Sequence, residues 1–305
     1  MEDTKEPASH KAAGLIHEAE YDLTLPPDVL ESLFRLRDNA GESTMHEVRK
    51  KLRSEFSVIK EDFQHEIPIH HLESLAAIVY GPFLYGMDLL VDTNDMMLRV
   101  KSASAQDAVM DGIFWASQPQ SDPRFAGYLN TMLSASQEVS KNRLTRIDGW
   151  LNGIKGGVSI IRALESDGWN IALPDYANNP QEVLEWDINN YIDFIAEREG
   201  KILFIDAKAR LMLEEGQIRR VASVEDRQRT GIYPPYLELG LPQSLSKYEH
   251  LLRQGDIKHL NIIVPSAVSQ LPNLQNAPDP KANLQSYGIT SEQSDLVSQI
   301  NNLRW

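Results

Sequence analysis

The chain has 305 residues, with 30 Lys and Arg against 44 Asp and Glu for a net charge of −14; 42% of residues are apolar and 24% are charged. This is the composition of a folded globular protein, and it excludes a collagenous, low-complexity or wholly disordered chain. With no cysteine, a disulfide framework, a thiolate nucleophile and a Cys-ligated zinc or iron–sulfur site are excluded as well.

Taken in chain order, residues 1–24 read as a flexible N-terminus. They lack the basic start and apolar run of a secretory signal, and the expected location is cytoplasmic. Residues 25–150 read as an α-helical domain. A helix follows Pro26-Pro27 through Leu36. A long one over 44–63 is capped by Ser43 and carries Val48, Leu52, Phe56 and Ile59 at spacings of three and four. Further helices are expected over 71–90, 105–116 and 125–151. The most apolar window, 72–91, is broken by Glu73, Gly81, Pro82, Gly86 and Asp88, so it is a buried helix or pair of helices and not a membrane span. His70, His71 and Glu73 lack an i, i+4 partner and read as structural. The glycines around Lys155 read as a hinge, because no Gly-Lys-Ser/Thr ending makes them a phosphate loop.

Residues 151–268 change character. A helix over 156–167 stops at Gly168, and a short strand over 169–173 closes at Pro174. Two apolar runs with period two, 191–196 and 201–207, flank a Glu199-Gly200 turn signal. A helix over 243–253 and a strand over 260–264 follow. Residues 269–305 read as a C-terminal extension with a short helix over 291–303. The expected class is α+β: an all-helical N-terminal domain, then an α/β domain with a mixed sheet.

The two runs carry the chemistry. With the turn centred between Glu199 and Gly200, paired positions sum to 399, which sets Asp193 opposite Asp206. Opposed residues share a face with Cβ atoms roughly 4.5–5.5 Å apart, and residues two apart on a strand share it too, so Lys208 joins them. Like charges this close repel, and a divalent oxygen-seeking cation resolves the conflict. Mg²⁺ or Mn²⁺ suits one or two carboxylates with waters and phosphate oxygens, and the carbonyl of Ala207 offers one more ligand. Lys208 is then placed to orient a water and offset charge on phosphate.

The segment from Asp193 through Asp206-Ala207-Lys208 resembles the PD-(D/E)xK nuclease superfamily, with its restriction-endonuclease-like fold. It is similar to the Holliday-junction-resolvase-like branch in the run Asp-Phe-Ile-Ala, then Gly, then Phe-Ile-Asp-Ala-Lys. The stretch 164–171, a helix ending at Gly-Trp and feeding a strand, resembles that branch too. The resemblance covers roughly residues 150–265. It implies a metal-dependent nuclease with catalytic Asp193, Asp206 and Lys208, Mg²⁺ or Mn²⁺ as cofactor, and nucleic acid as partner, DNA favoured over RNA. It further implies substrate contacts from Gln243, Lys247 and Tyr248, and backbone phosphate contacts from Arg219, Arg220, Arg227 and Arg229. Tyr233 and Tyr236 stack on a base or pack under a loop. Two departures stand out. The first helix has Gly156-Gly157-Val158-Ser159 where the family often carries a Glu, leaving Asp187, Glu185 or Glu165 as the further acid. The spacing from Gln243 to Tyr248 is one residue long. The rival expectation is an inactive nuclease-like scaffold whose acidic helical domain binds a protein partner; neither reading settles whether the chain forms a homodimer.

Overall fold

The computed structural model describes residues 66–90, 96–142, 145–210, 220–222, 236–265, 279–288 and 293–305, with single positions 35 and 50. The expected helices through Leu36 and over 44–63 lie outside them, as do Arg219, Arg227, Arg229 and Tyr233. The protein mixes helices with one sheet, and it divides into two compact units: residues 1–151 with 271–286, and residues 152–270 with 287–305. Among the described residues no helix is long and apolar enough to cross a membrane.

The first unit is helical. In the helix Ile69–Leu90 every residue from His71 to Pro82 is buried, so this stretch runs through the core with no solvent-facing side. That helix packs along Met96–Ala116, which buries many small residues. Small residues let the two backbones close up. A Cβ on Gly112 would lie 2.2 Å from Ser74 Oγ, so the crossing point excludes any larger residue there. Likewise a Cβ on Gly81 would collide with the indole of Trp150, itself fully buried. The helix Pro123–Asn142 starts with Pro at its first position behind Asp122, whose carboxylate accepts from the Arg124 amide at 2.8 Å. The sequence predicts one continuous helix over 125–151; two are found, Pro123–Asn142 and Thr145–Ser166.

The helix Thr145–Ser166 also corrects the hinge. Residues 153–157 lie inside it, and Ile154 and Lys155 are buried. Burial and continuous hydrogen bonding outweigh the low helix propensity of three glycines. The chain then turns at Gly168 (φ +83°) into the strand β1, Asn170–Ala172. A short helix, Pro180–Val183, runs into one π-helical turn, Leu184–Ile188. Strands β2 (Phe194–Arg198) and β3 (Lys201–Arg210) form the expected hairpin. Glu199 (φ +52°) and Gly200 (φ +76°) are both left-handed, as a two-residue hairpin turn of matching twist requires. The pairing Phe194↔Ile205 down to Arg198↔Lys201 keeps the sum of 399.

Strand β4 (Arg220–Ala222) leaves no mark in the sequence; three residues are too few for a period-two signal. A short helix Tyr236–Leu239, a 3₁₀ segment Gln243–Tyr248 and a helix Glu249–Gln254 lead to β5, Ile257–Pro265. The sheet order is β1-β2-β3-β5-β4, with β3 and β5 parallel and the other neighbours antiparallel. Phe204, Ile202, Ile195 and Ile257 form a core with Trp186, Ile192, Tyr236, Leu245 and Tyr248 on one face. Phe194, Leu203, Ile205, Leu260, Ile262 and Val264 are buried as well. A sheet covered on both faces explains why β2 reads Phe-Ile-Ala without a polar interruption.

Ahead of the expected final helix, the C-terminal extension also holds the helix Pro280–Ser286 and the fully buried Leu284 and Tyr287. Its asparagines conceal it in sequence, because they serve as packing partners: Asn283 donates to Asn130 Oδ1 at 3.0 Å, and Asn130 donates to the Pro280 carbonyl at 2.7 Å. In the second unit the helix Gln293–Asn301 leads to Trp305, which stacks on Trp169 at 6.0 Å.

Candidate active site

The site stands at the end of the β2–β3 hairpin remote from its turn. The ladder is regular up to Phe194↔Ile205 and then bends. The Asp193 amide donates to the Ile205 carbonyl at 2.7 Å, and Asp193 Oδ2 accepts from the Ala207 N–H at 2.5 Å. A carboxylate oxygen thus takes the strand amide that a regular ladder gives to a carbonyl. Asp206 follows on β3, with its side chain 3% exposed, and its Oδ1 pairs with Lys208 Nζ at 2.6 Å. Lys208 leaves 47% of its side chain exposed, so its ammonium bridges the buried acid and the outside.

A third acid arrives from the π-helical turn. Asp187 is half-buried, and its charge acts on both Asp193 and Lys208. Such turns displace one residue from the helical repeat and recur at functional sites. Here the turn presents Asp187 while Glu185 is engaged elsewhere: Ser244 donates to Glu185 Oε2 at 2.8 Å, and Trp186 Nε1 donates to Ser244 Oγ at 3.0 Å. Glu185 thus braces two elements. Glu165 is an exposed residue near the end of its helix; partial desolvation raises its carboxyl, and the Arg162 charge opposes the rise.

The electrostatics follow from one ion pair, Lys208–Asp206, with the charges of Asp193 and Asp187 acting on the same ammonium. Desolvation pushes the Asp193 carboxyl well above the usual range, with the charges of Asp187 and Asp206 adding to it against Lys208 and the Ala207 N–H. Burial disfavours the Lys208 ammonium, but Asp193, Asp206 and Asp187 outweigh it and hold the amine protonated above its ordinary value.

A support network with no local sequence signal fixes the approach to Asp193. Tyr191 is a non-glycine residue at φ +57°, held by the Tyr191 N–H to the Asp187 carbonyl at 3.1 Å and the Ile192 N–H to the Trp186 carbonyl at 2.9 Å. The Tyr191 carbonyl meets His259 Nε2 at 2.9 Å, and His259 Nδ1 meets the Tyr236 hydroxyl at 2.8 Å. A carbonyl only accepts, so Nε2 carries the proton and Nδ1 accepts from the Tyr236 O–H. Asn190 Oδ1 accepts from the Tyr236 amide at 3.2 Å. His259 and Tyr236 escape a reading of local pattern, since the partners of each lie far away in sequence. Tyr236 is buried beside Phe204 and His259, which settles its choice for packing.

Other sequence-derived contacts fall differently. Tyr248 is buried edge-on to Phe204, which corrects the expectation of a substrate contact: its hydrophobic ring is spent on the core. Gln243 and Lys247 are exposed on the 3₁₀ segment, with Lys247 Nζ 4.8 Å from the Tyr248 ring centre. Arg220 sits on β4 opposite Ile263, which pairs in turn with Lys208, so all three occupy one row across the sheet.

The donor set suits a hard divalent cation. It is all oxygen, with excess negative charge, and it has one further member. Asn261 pairs in register with Asp206, which sets both on the same face, and its buried Oδ1 has no hydrogen-bond partner among the described residues. A buried acceptor left without a donor is costly unless something positive meets it. Comparison with family models, curated proteins and solved structures finds no match to this chain.

Proposed function

We propose that the chain is a metal-dependent nuclease of the PD-(D/E)xK type, with the restriction-endonuclease-like fold in its second unit and DNA favoured as substrate. The observation that carries this reading is the meeting of Asp193, Asp206 and Lys208 at one end of the β2–β3 hairpin, with Asp187 as third acid. Asp193 and Asp206 would hold Mg²⁺ or Mn²⁺, and Asp187, the Ala207 carbonyl and Asn261 are the next candidate ligands. Such an ion supplies Lewis-acid polarisation of phosphate and a more acidic bound water. Asp193 would bind such an ion in its ionised form. Lys208 stays an ammonium, so it is no general base; it orients the attacking water and offsets charge gathering on the phosphate oxygens. The half-exposed reach of Lys208 and the row it shares with Arg220 support a strand of backbone phosphates lying over this edge. The helical unit sets the substrate or a protein partner.

The test is incubation of wild type, Asp206→Ala and Lys208→Ala with plasmid, single-stranded DNA and RNA, with Mg²⁺ or Mn²⁺. Cleavage by wild type alone supports the proposal; equal cleavage by all three marks a contaminant and removes it. A second reading, an inactive scaffold, draws on the direct Lys208–Asp206 ion pair, which already neutralises one acid without any ion. No cleavage under any condition, together with no Mn²⁺ binding, favours that reading.

A further inference from the structure

The helical unit carries a second cluster that the nuclease reading does not use. His70 and His71 open the helix Ile69–Leu90, and Asp111 comes from the facing helix Met96–Ala116. One ligand atom from each lies within 4.8 Å of the other two. Among the described residues this is the group of His and carboxylate side chains gathered closely enough to share an ion.

Adjacent helical side chains diverge by about 100°, so neighbouring histidines seldom converge. Here they do: the His70 and His71 ring centres are 4.1 Å apart, tilted by 48°. Packing holds His71 in place. It stacks on Trp115 at 4.7 Å and 19°, and its carbonyl accepts from Ser74 Oγ. Trp115 is four residues beyond Asp111, so both occupy the helix face that meets His71. The close Gly112–Ser74 approach, next along each helix, fixes the spacing of the two backbones. The site is thus built on rigid elements.

The second observation is the geometry at His71. Its Nδ1 is buried and lies 3.2 Å from Asp111 Oδ2, yet the contact lacks the alignment of a hydrogen bond. A nitrogen and a carboxylate oxygen that stand close without sharing a proton suit two ligands of one ion. A tetrahedral centre with bonds of roughly 2.0–2.2 Å keeps its ligand atoms about 3.4 Å apart. The His71–Asp111 pair already stands near that distance, and the His70 ligand atom lies within 4.8 Å of both.

We infer that His70, His71 and Asp111 form a transition-metal site of the zinc class that clasps the helices Ile69–Leu90 and Met96–Ala116. Imidazole nitrogens select such an ion over Mg²⁺, and three protein ligands leave a fourth position for water. The inference stands independently of the nuclease reading.

The test is calorimetric titration of the full chain with Zn²⁺, carried out in an Asp206→Ala background so that the sheet site does not contribute, alongside thermal melting with and without Zn²⁺. One saturable equivalent and a raised melting midpoint are expected. Asp111→Asn and His70→Gln added to that background should each weaken Zn²⁺ by more than about 100-fold, the upper end of what losing even an outer partner costs. Their metal-free melting should match the parent's. Absence of saturable binding in the background protein means an ion pair only and overturns the site. Binding undiminished in either folded variant overturns it too, because a three-ligand centre needs both. Should Asp111→Asn not fold, His70→Gln decides alone.

Discussion

Two clusters of polar side chains in this protein differ in their chemistry. At the end of the β2–β3 hairpin, Asp206 pairs with Lys208 near Asp193, under the charge of Asp187, and the acids offer only oxygen. In the helical unit, two imidazoles face one carboxylate. The first set carries uncompensated negative charge and suits a hard ion; the second carries little and suits a borderline one. The number of acids thus matters less than what stands beside them. The two clusters also separate what local sequence displays from what only the fold assembles. Asp193, Asp206 and Lys208 lie on consecutive strands joined by a two-residue turn, whereas His71 and Asp111 come from different helices.

Removing one acid from the hairpin strains this contrast hardest. Asp206→Ala should lower Mn²⁺-dependent cleavage by more than about 10³-fold, beyond the loss expected for a single electrostatic donor, while leaving Zn²⁺ binding at the helices untouched. A plasmid-nicking time course beside a Zn²⁺ titration reads both. Lys208→Ala should cost about 10²–10³-fold in kcat, with Mn²⁺ affinity preserved or improved, since a competing cation has gone. Steady-state kinetics across Mn²⁺ concentrations separate these quantities.

Asp193→Asn turns the comparison toward stability. The folded Asp193 carboxyl titrates above its unfolded value of about 3.9, so the folded state binds the proton more tightly. The native state is therefore favoured by this group at low pH and loses that contribution as pH rises toward the elevated folded value. An amide keeps an acceptor for the Ala207 N–H and carries no charge. The metal-free variant should therefore melt a few degrees higher than wild type at neutral pH, with the gap closing as pH falls below about 4, and it should lose the stabilisation by Mn²⁺. Melting curves across pH with a chelator present check the sign.

Smaller effects test the support. Tyr236→Phe leaves His259 Nδ1 without its donor and should cost roughly 1–3 kcal/mol in urea unfolding. Arg253→Ala removes an exposed i, i+4 pair with Glu249 at 3.5 Å and should change stability by less than about 0.5 kcal/mol in the same assay.

The hairpin was legible because its signals are local: period-two apolar runs, a turn dipeptide and a sum of positions that sets register. The bend at Asp193 was not, because it depends on a side chain taking a strand amide. The helix ending at Gly168, the strand after it, the hairpin and the last strand were readable from Gly168, Glu199-Gly200 and the apolar runs; β4 and the short helix before β2 were not. The π-helical turn that carries Glu185 and Asp187 was not, because no local periodicity announces it. Asn261, His259 and Asp111 act through partners distant in sequence, and the glycines at 153–157 read as a hinge only until burial is known.

If the carboxylates at the hairpin end gather around one hard ion, the metal-free protein must take up Mn²⁺ there, and calorimetric titration reads that uptake without recourse to any substrate. Wild type should bind saturably with release of protons, seen in the buffer dependence of the heat, and Asp206→Ala should lose the binding. Wild-type heats no larger than dilution, or an Asp206→Ala isotherm identical to wild type, would contradict it.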